Sequence, residues 1–381
     1  MQYSIKILFD PIYTKLESIL GGKLWYIKAV FICLLGIAIF SPPTPYFYSK
    51  DYQGGLFVET VMNRANNIFS PPNYGNEILH ESKTYFRVFI PILCKTLNIS
   101  NFQTLYLIQS LIGMLFLLAS ILLAFKITQD RVAALFCGLC LTFLYVGKAA
   151  FHDISGWFDS FAYFFLIISL FELPFILHLI FLNFAYFTDE RALLSAIILC
   201  MFHSIKFENK KLKIKIFQKS IYAIIFSVLI YVVIRLGITY FFDFKNIIPN
   251  ENLHIKHLTH TFWSGFEGIW ILLVVSILIL MKEMNYVLIF FYLLSILIFA
   301  TMVLNIGDQT RSIAYIFPMV FVSLLVASKF LDTHNLRLIL FFSLIITLLY
   351  PADFYINGFE RSYFQPVYIK TLKSFFPNSV F

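Results

Sequence analysis

The sequence predicts an all-α polytopic membrane protein, and three observations carry that prediction. The 381 residues are 60% hydrophobic, 19% aromatic and only 13% charged, whereas soluble domains average about 25% charged residues. Several apolar runs approach the ~20 residues that span a bilayer as a helix. The polar–apolar alternation of an outer-membrane barrel is absent.

The first 22 residues are weakly apolar and read as an interfacial helix, with no evident cleavable signal peptide. Eleven apolar runs follow, at 25–41, 104–125, 132–150, 157–171, 173–187, 192–205, 220–241, 267–281, 286–305, 313–330 and 336–350. Glu172 and Pro174 separate the fourth from the fifth; if 157–187 were one kinked span, the count would be ten. Cys137 and Cys140 form a CxxC inside an apolar run, where packing is a commoner use than redox or metal chemistry.

The formal net charge of +8 reads as topogenic, because the basic residues are scattered among the spans. Nucleic acid is not an expected partner. The segment 206–219 carries six lysines and one glutamate, and the N-terminus carries Lys6, Lys15, Lys23 and Lys28. Both belong in the cytoplasm, so the chain crosses an even number of times between them. Six crossings satisfy this, which selects eleven spans. The first loop (42–103), the loop 242–266 and the C-terminal tail (351–381) then lie outside, within a single integral membrane domain.

The polar interruptions at that external level hold the candidate chemistry. Asp51 follows Pro42, Pro43 and Pro45 and precedes Gly54 and Gly55. A carboxylate there suits a general base toward a hydroxyl, or a helix cap. Arg87, before a short apolar stretch, suits bidentate phosphate binding or an interfacial anchor. Glu77, His80 and Glu81 are spaced as on one helix, which surface helices also do without binding metal. "FHDISGWFDSF" brings His152, Asp153 and Asp159; these suit acid–base work or a divalent cation, or Asp153 caps a helix. Asp189, Glu190 and Arg191 form a charged turn between two apolar runs, and Asp308 and Arg311 form another. Arg235 lies inside a span, where it either snorkels outward or finds an acidic or phosphate partner. No Walker, GxSxG or HExxH motif is present, so an enzyme of this kind would draw its energy from an activated, lipid-linked donor.

"YSKDYQGG" shortly after the first span, "DISGWFDSFAYFF", "FTDERALLSA" and "GDQTRSIAYIFP" together resemble GT-C type polytopic glycosyltransferases. The resemblance covers the order of most of the chain with short, degenerate motifs. It implies a long first external loop with helices lying along the membrane, a polyprenyl-phosphate-linked sugar donor, and a glycan or lipid acceptor beside the membrane lipids. It also implies inverting transfer. Asp51 would be the catalytic base, while Arg87, Arg191 and Arg311 would hold the donor phosphate. Asp153, Asp159, Asp189, Glu190 and Asp308 would orient sugar hydroxyls or a divalent cation, no cofactor being certain. The chain departs from the class in lacking a DxD or ExD pair, since Tyr52 and Gln53 follow Asp51.

Two other readings share these features. An O-antigen-type polymerase or ligase would usually carry its long loop late in the chain. A lipid-linked sugar transporter or flippase would show internal repeats and midplane charges. The Ile, Phe and Lys richness fits an AT-rich bacterial genome and hence a bacterial plasma membrane.

Overall fold

A computed structural model describes residues 2–43, 56–69, 85–153, 155–208, 211–241, 258–306, 308–352, 355–356, 359–360 and 366–375. Among the described residues the chain is a helical bundle with two small β-hairpins, in keeping with the all-α expectation. Five helical segments among the described residues are long and apolar enough to cross a membrane: 102–128, 219–241, 258–282, 286–304 and 309–330. A sixth candidate is 131–152, whose two halves, Arg131–Phe143 and Tyr145–His152, meet at 59°. Four shorter apolar helices, Trp25–Phe40, Asp159–Ile168, Phe175–Thr188 and Thr333–Leu349, coincide with four more of the apolar runs.

Helix starts follow local chemistry. Asn101, Asp130, Asn285 and Asp332 accept from backbone N–H groups three residues on, the capping their side-chain oxygens favour. The bend at Leu144 arises from its extended ψ of 162°. It also needs Gly147, because a Cβ there would lie 2.3 Å from the Leu141 carbonyl oxygen.

Burial sorts the helices into an inner and an outer set. Arg131–Phe143, Tyr145–His152 and Pro318–Phe330 are buried on nearly every side. Tyr286–Leu304 buries only Leu288, Tyr292, Ser295, Phe299 and Val303, a stripe at helical spacing. Its other faces are also apolar and exposed, as at Phe290, Leu293 and Leu297. The same holds for Lys219–Phe241, with Phe226, Val233 and Leu236 exposed. Helices apolar all round yet buried on one stripe require an apolar solvent, so this is an integral membrane protein. Close helix contact in such a bundle relies on small residues. At Gly268 a Cβ would stand 2.0 Å from the Ser343 carbonyl oxygen.

The connections hold more structure than their composition predicts. In the first loop, Leu56–Asn66 and Phe89–Thr96 are helical. The basic segment 206–219 is not a plain loop: strands Ile205–Glu208 and Lys211–Ile214 pair antiparallel, with Ile205 opposite Ile214. Period-two alternation of lysine with Leu212, Ile214 and Ile216 was the signal for it. The loop before the eighth run is helical from Leu258, and the tail holds a second hairpin and the helix Val367–Phe375. The run beginning at 313 starts earlier, with the buried helix Gln309–Ala314.

The ion pairs among the described residues fall toward the two ends of the bundle. At one end Arg337 donates to Asp130 and to Glu17, joining three distant segments. The β-hairpin sits at this same end, with Phe207 against Phe330 and the Lys329 ammonium over the Phe207 ring. Beside the hairpin, whose Lys206 lies 3.8 Å from Glu172, the break after Ile168 is pinned by His178 and His203, whose Nε2 atoms both donate to the Ser169 carbonyl at 2.6 and 2.8 Å.

Candidate functional site

The other end gathers seven ionisable side chains from four segments. Helix Asp159–Ile168 has ten residues, only about 15 Å of rise. Its first residue, Asp159, is fully buried. Arg311 donates to it from Nε at 2.7 Å and from Nη2 at 3.1 Å. Arg191 Nη2 reaches the same carboxylate at 3.3 Å. The hydroxyls of Tyr145 and Tyr315 each donate to it at 3.0 Å. One carboxylate thus takes two guanidiniums and two phenols, the dense satisfaction that a buried charge demands.

Asp189 caps the 3₁₀ turn Glu190–Ser195 by accepting from the Arg191 N–H, and its carboxylate also takes Arg191 Nε at 2.7 Å. Burial by itself would raise the Asp189 carboxyl. The Arg191, Arg87 and Arg311 guanidiniums outweigh it and hold this turn residue below the usual carboxylate range. Arg191 completes its set with Ser312 Oγ at 3.2 Å. Arg311 reaches outward to Asp308 at 2.7 Å, and the Trp157 ring lies 4.3 Å from its guanidinium carbon.

The cluster has a buried core and an accessible rim. Asp159, Asp189, Arg191 and Arg311 are at most 5% exposed, while Arg87, Glu190 and Asp308 are 19%, 25% and 27% exposed. Arg87 forks onto Glu190 through Nε at 3.0 Å and Nη2 at 2.9 Å, and Nη2 also lies 3.1 Å from Asp189. Its Nη1 has no partner among the described residues.

The first loop delivers Arg87 by two other arginines. Arg64, buried on Leu56–Asn66, donates to the carbonyls of Ile68 and Tyr85 at 3.1 and 2.7 Å. Arg235 lies over the Phe86 ring at 4.3 Å and donates to the Tyr231 hydroxyl. The span arginine has thus found aromatic partners, and the two residues immediately before Arg87 are both held in place.

Of the site residues expected from sequence, Arg87, Asp159, Asp189, Glu190, Arg191, Asp308 and Arg311 come together. Asp153 stands apart in use. Its carboxylate accepts the N–H groups of Ser155, Gly156, Trp157 and Phe158. It thereby shapes the turn that carries Trp157 and Asp159. Burial and the nearby Asp159 charge push its carboxyl up to about 6, against Arg311 and those N–H groups. Asp51 lies outside the described residues, as do Glu77, His80 and Glu81. Among the described residues no group of three or more His, Cys, Asp or Glu side chains is arranged to hold a metal ion. The converging carboxylates face guanidiniums instead, and a divalent cation there would compete with three of them.

Sequence reading missed Tyr145, Tyr315, Ser312 and Trp157 as members of the cluster. Tyr315 stands four residues after Arg311, one helical turn, which was a usable signal. Tyr145 lies on a separate helix with no such signal. Lys148 and Glu267 are two further buried residues of ionisable type. Comparison with protein-family models, curated proteins and solved structures finds no match for the chain.

Proposed function

We propose that the chain is a membrane glycosyltransferase that moves a sugar from a polyprenyl-phosphate-linked donor to a glycan or lipid acceptor at the cluster end of the bundle. One observation carries this reading: seven ionisable side chains, from four segments distant in sequence, converge at one end of the bundle. Ionisable residues at membrane depth mark functional sites by default. In this reading eleven spans cross a bacterial plasma membrane. The lysine-rich end with Glu17, Asp130 and Arg337 is cytoplasmic, and the cluster end is external.

The division into core and rim refines the roles. Asp159, Asp189, Arg191 and Arg311 spend their hydrogen bonds within the cluster, so they set geometry and field. Arg87 carries a donor directed at no described residue, and it is the group that meets the donor phosphate. Glu190 and Asp308, on the same rim, orient sugar hydroxyls. Asp51 takes the proton of the acceptor hydroxyl as its oxygen attacks the anomeric carbon and the polyprenyl phosphate departs. Preorganised positive charge is worth most where the leaving phosphate gathers negative charge. The test is sugar transfer from labelled polyprenyl-phosphate sugars by purified wild type, Arg87→Gln and Asp51→Asn. Transfer is expected for wild type and lost in both variants.

A further inference from the structure

Toward the lysine-rich end an apolar groove of about 380 Å³ opens on the outer face of the bundle. Its size falls within the ~300–1,000 Å³ of ligand pockets. The back is formed by Ala196, Cys200 and Met201, and the sides by Ile221 and Ile225 of one outer helix and Phe291 of another. The groove runs along the outer helix from Ile221 to Leu229, eight residues or about 12 Å. Its shape fits a single hydrocarbon chain.

What closes the groove at its membrane-surface end is the β-hairpin, which lends Ile214 and the following Ile216 to the lining. Lysines alternate with those isoleucines. Lys213 and Lys215 are more than half exposed and share one carboxylate, Glu208, at 2.7 and 2.5 Å. Lys219 is exposed and has no ion-pair partner among the described residues. Segment 206–219 holds six lysines against a single acidic residue, so a large positive excess remains. Beside the lysines, Phe217 is 81% exposed and Ile216 57% exposed, an apolar edge beside a basic one. A band of this kind belongs at an anionic membrane surface.

We infer that the groove is a binding site for one anionic phospholipid, with an acyl chain between the helices and its phosphate at the lysine band. A neutral annular lipid would use the groove but not the charge, and a soluble anion would use the charge but not the groove. The site is independent of the transferase reading.

The test uses the full chain in nanodiscs containing equal phosphatidylglycerol and phosphatidylcholine, read by native mass spectrometry. One phosphatidylglycerol is expected to remain bound at energies that strip phosphatidylcholine. The triple variant Lys213→Gln, Lys215→Gln, Lys219→Gln is expected to weaken that preference about fivefold or more. Cys200→Trp, which fills the groove, is expected to abolish it. Equal retention of the two lipids, or a preference that survives Cys200→Trp, overturns the proposal. Wild-type protein gives a second reading that needs no variant to fold. A phosphatidylglycerol with a photoactivatable acyl chain should label the peptide holding Cys200 and Met201, and unlabelled phosphatidylglycerol should compete where phosphatidylcholine does not. Labelling spread over all outer helices would overturn the assignment.

Discussion

Arg311 is held by two acids of different burial, and replacing each in turn separates burial from proximity. Asp159 is fully buried and Asp308 is 27% exposed, yet both lie 2.7 Å from the Arg311 guanidinium. Asp159→Asn removes the charge from a carboxylate that serves Arg311, Arg191, Tyr145 and Tyr315. A unit charge pair at about 4 Å is worth about 4 kcal/mol at an effective dielectric of 20. Breaking a buried pair from one side costs about 3–5 kcal/mol, since the partner stays charged and buried. Asp308→Asn leaves Arg311 its two bonds to Asp159, and a water-accessible pair contributes about 0–1 kcal/mol. Thermal unfolding of the purified variants in detergent, followed by size-exclusion fluorescence, should show a large fall in midpoint for Asp159→Asn and almost none for Asp308→Asn. Restoring balance with an apolar pair, Asp159→Leu with Arg311→Leu, should recover much of the loss, because replacing both partners removes the stranded charge. Equal effects for the two single variants, or a double variant worse than Asp159→Asn, would refute the division into buried core and open rim.

The remaining expectations concern the rim, the loop, the packing and pH. Arg87→Gln should reduce transfer about a hundredfold while shifting the unfolding midpoint little, as measured by initial rates beside the thermal assay. Arg64→Gln should loosen the chain at Tyr85 and so raise KM for the donor more than it lowers kcat, read from full saturation curves. Gly268→Val must part its turn from the Ser343 carbonyl, which a Cβ would approach to 2.0 Å; a loss of about 1–3 kcal/mol should appear as poorer yield and an earlier melt. The Asp189 carboxyl is held below its ordinary value by Arg191, Arg87 and Arg311 against burial. Its stabilising contribution is therefore complete above the unfolded value of about 3.9 and is lost as pH falls below that. Melting curves between about pH 5 and pH 2 should show the onset of that loss, and Asp189→Asn should flatten it.

Much of the outline was legible because apolar runs are long-range signals. The break at Glu172 and Pro174 was visible, and the structure places it between Ile168 and Phe175. Seven of the nine site residues could be found from a single rule, that charges between apolar runs must sit near water or near each other. Sequence could not say which of the two applied. The sequence marks Arg191 and Arg311 as anion-binding groups but not their partners: both donate to the Asp159 carboxylate, 32 and 152 residues away, a pairing set by helix packing. Asp153 looked like a ligand and serves the backbone of its own turn. The hairpin in 206–219 was hidden by its lysines, whose topogenic meaning is independent of the period-two pattern beneath them.

The most direct measurement is transfer by purified wild-type protein from a panel of radiolabelled polyprenyl-phosphate sugars into membrane lipid extract, run beside Arg87→Gln and Asp308→Asn proteins of matched melting temperature. The expected result is label moving to a new product with wild type, almost none with Arg87→Gln, and reduced transfer with Asp308→Asn. Transfer that persists undiminished in both variants would remove the charged cluster from the reaction, and no transfer from any donor by folded wild type would contradict the glycosyltransferase reading itself.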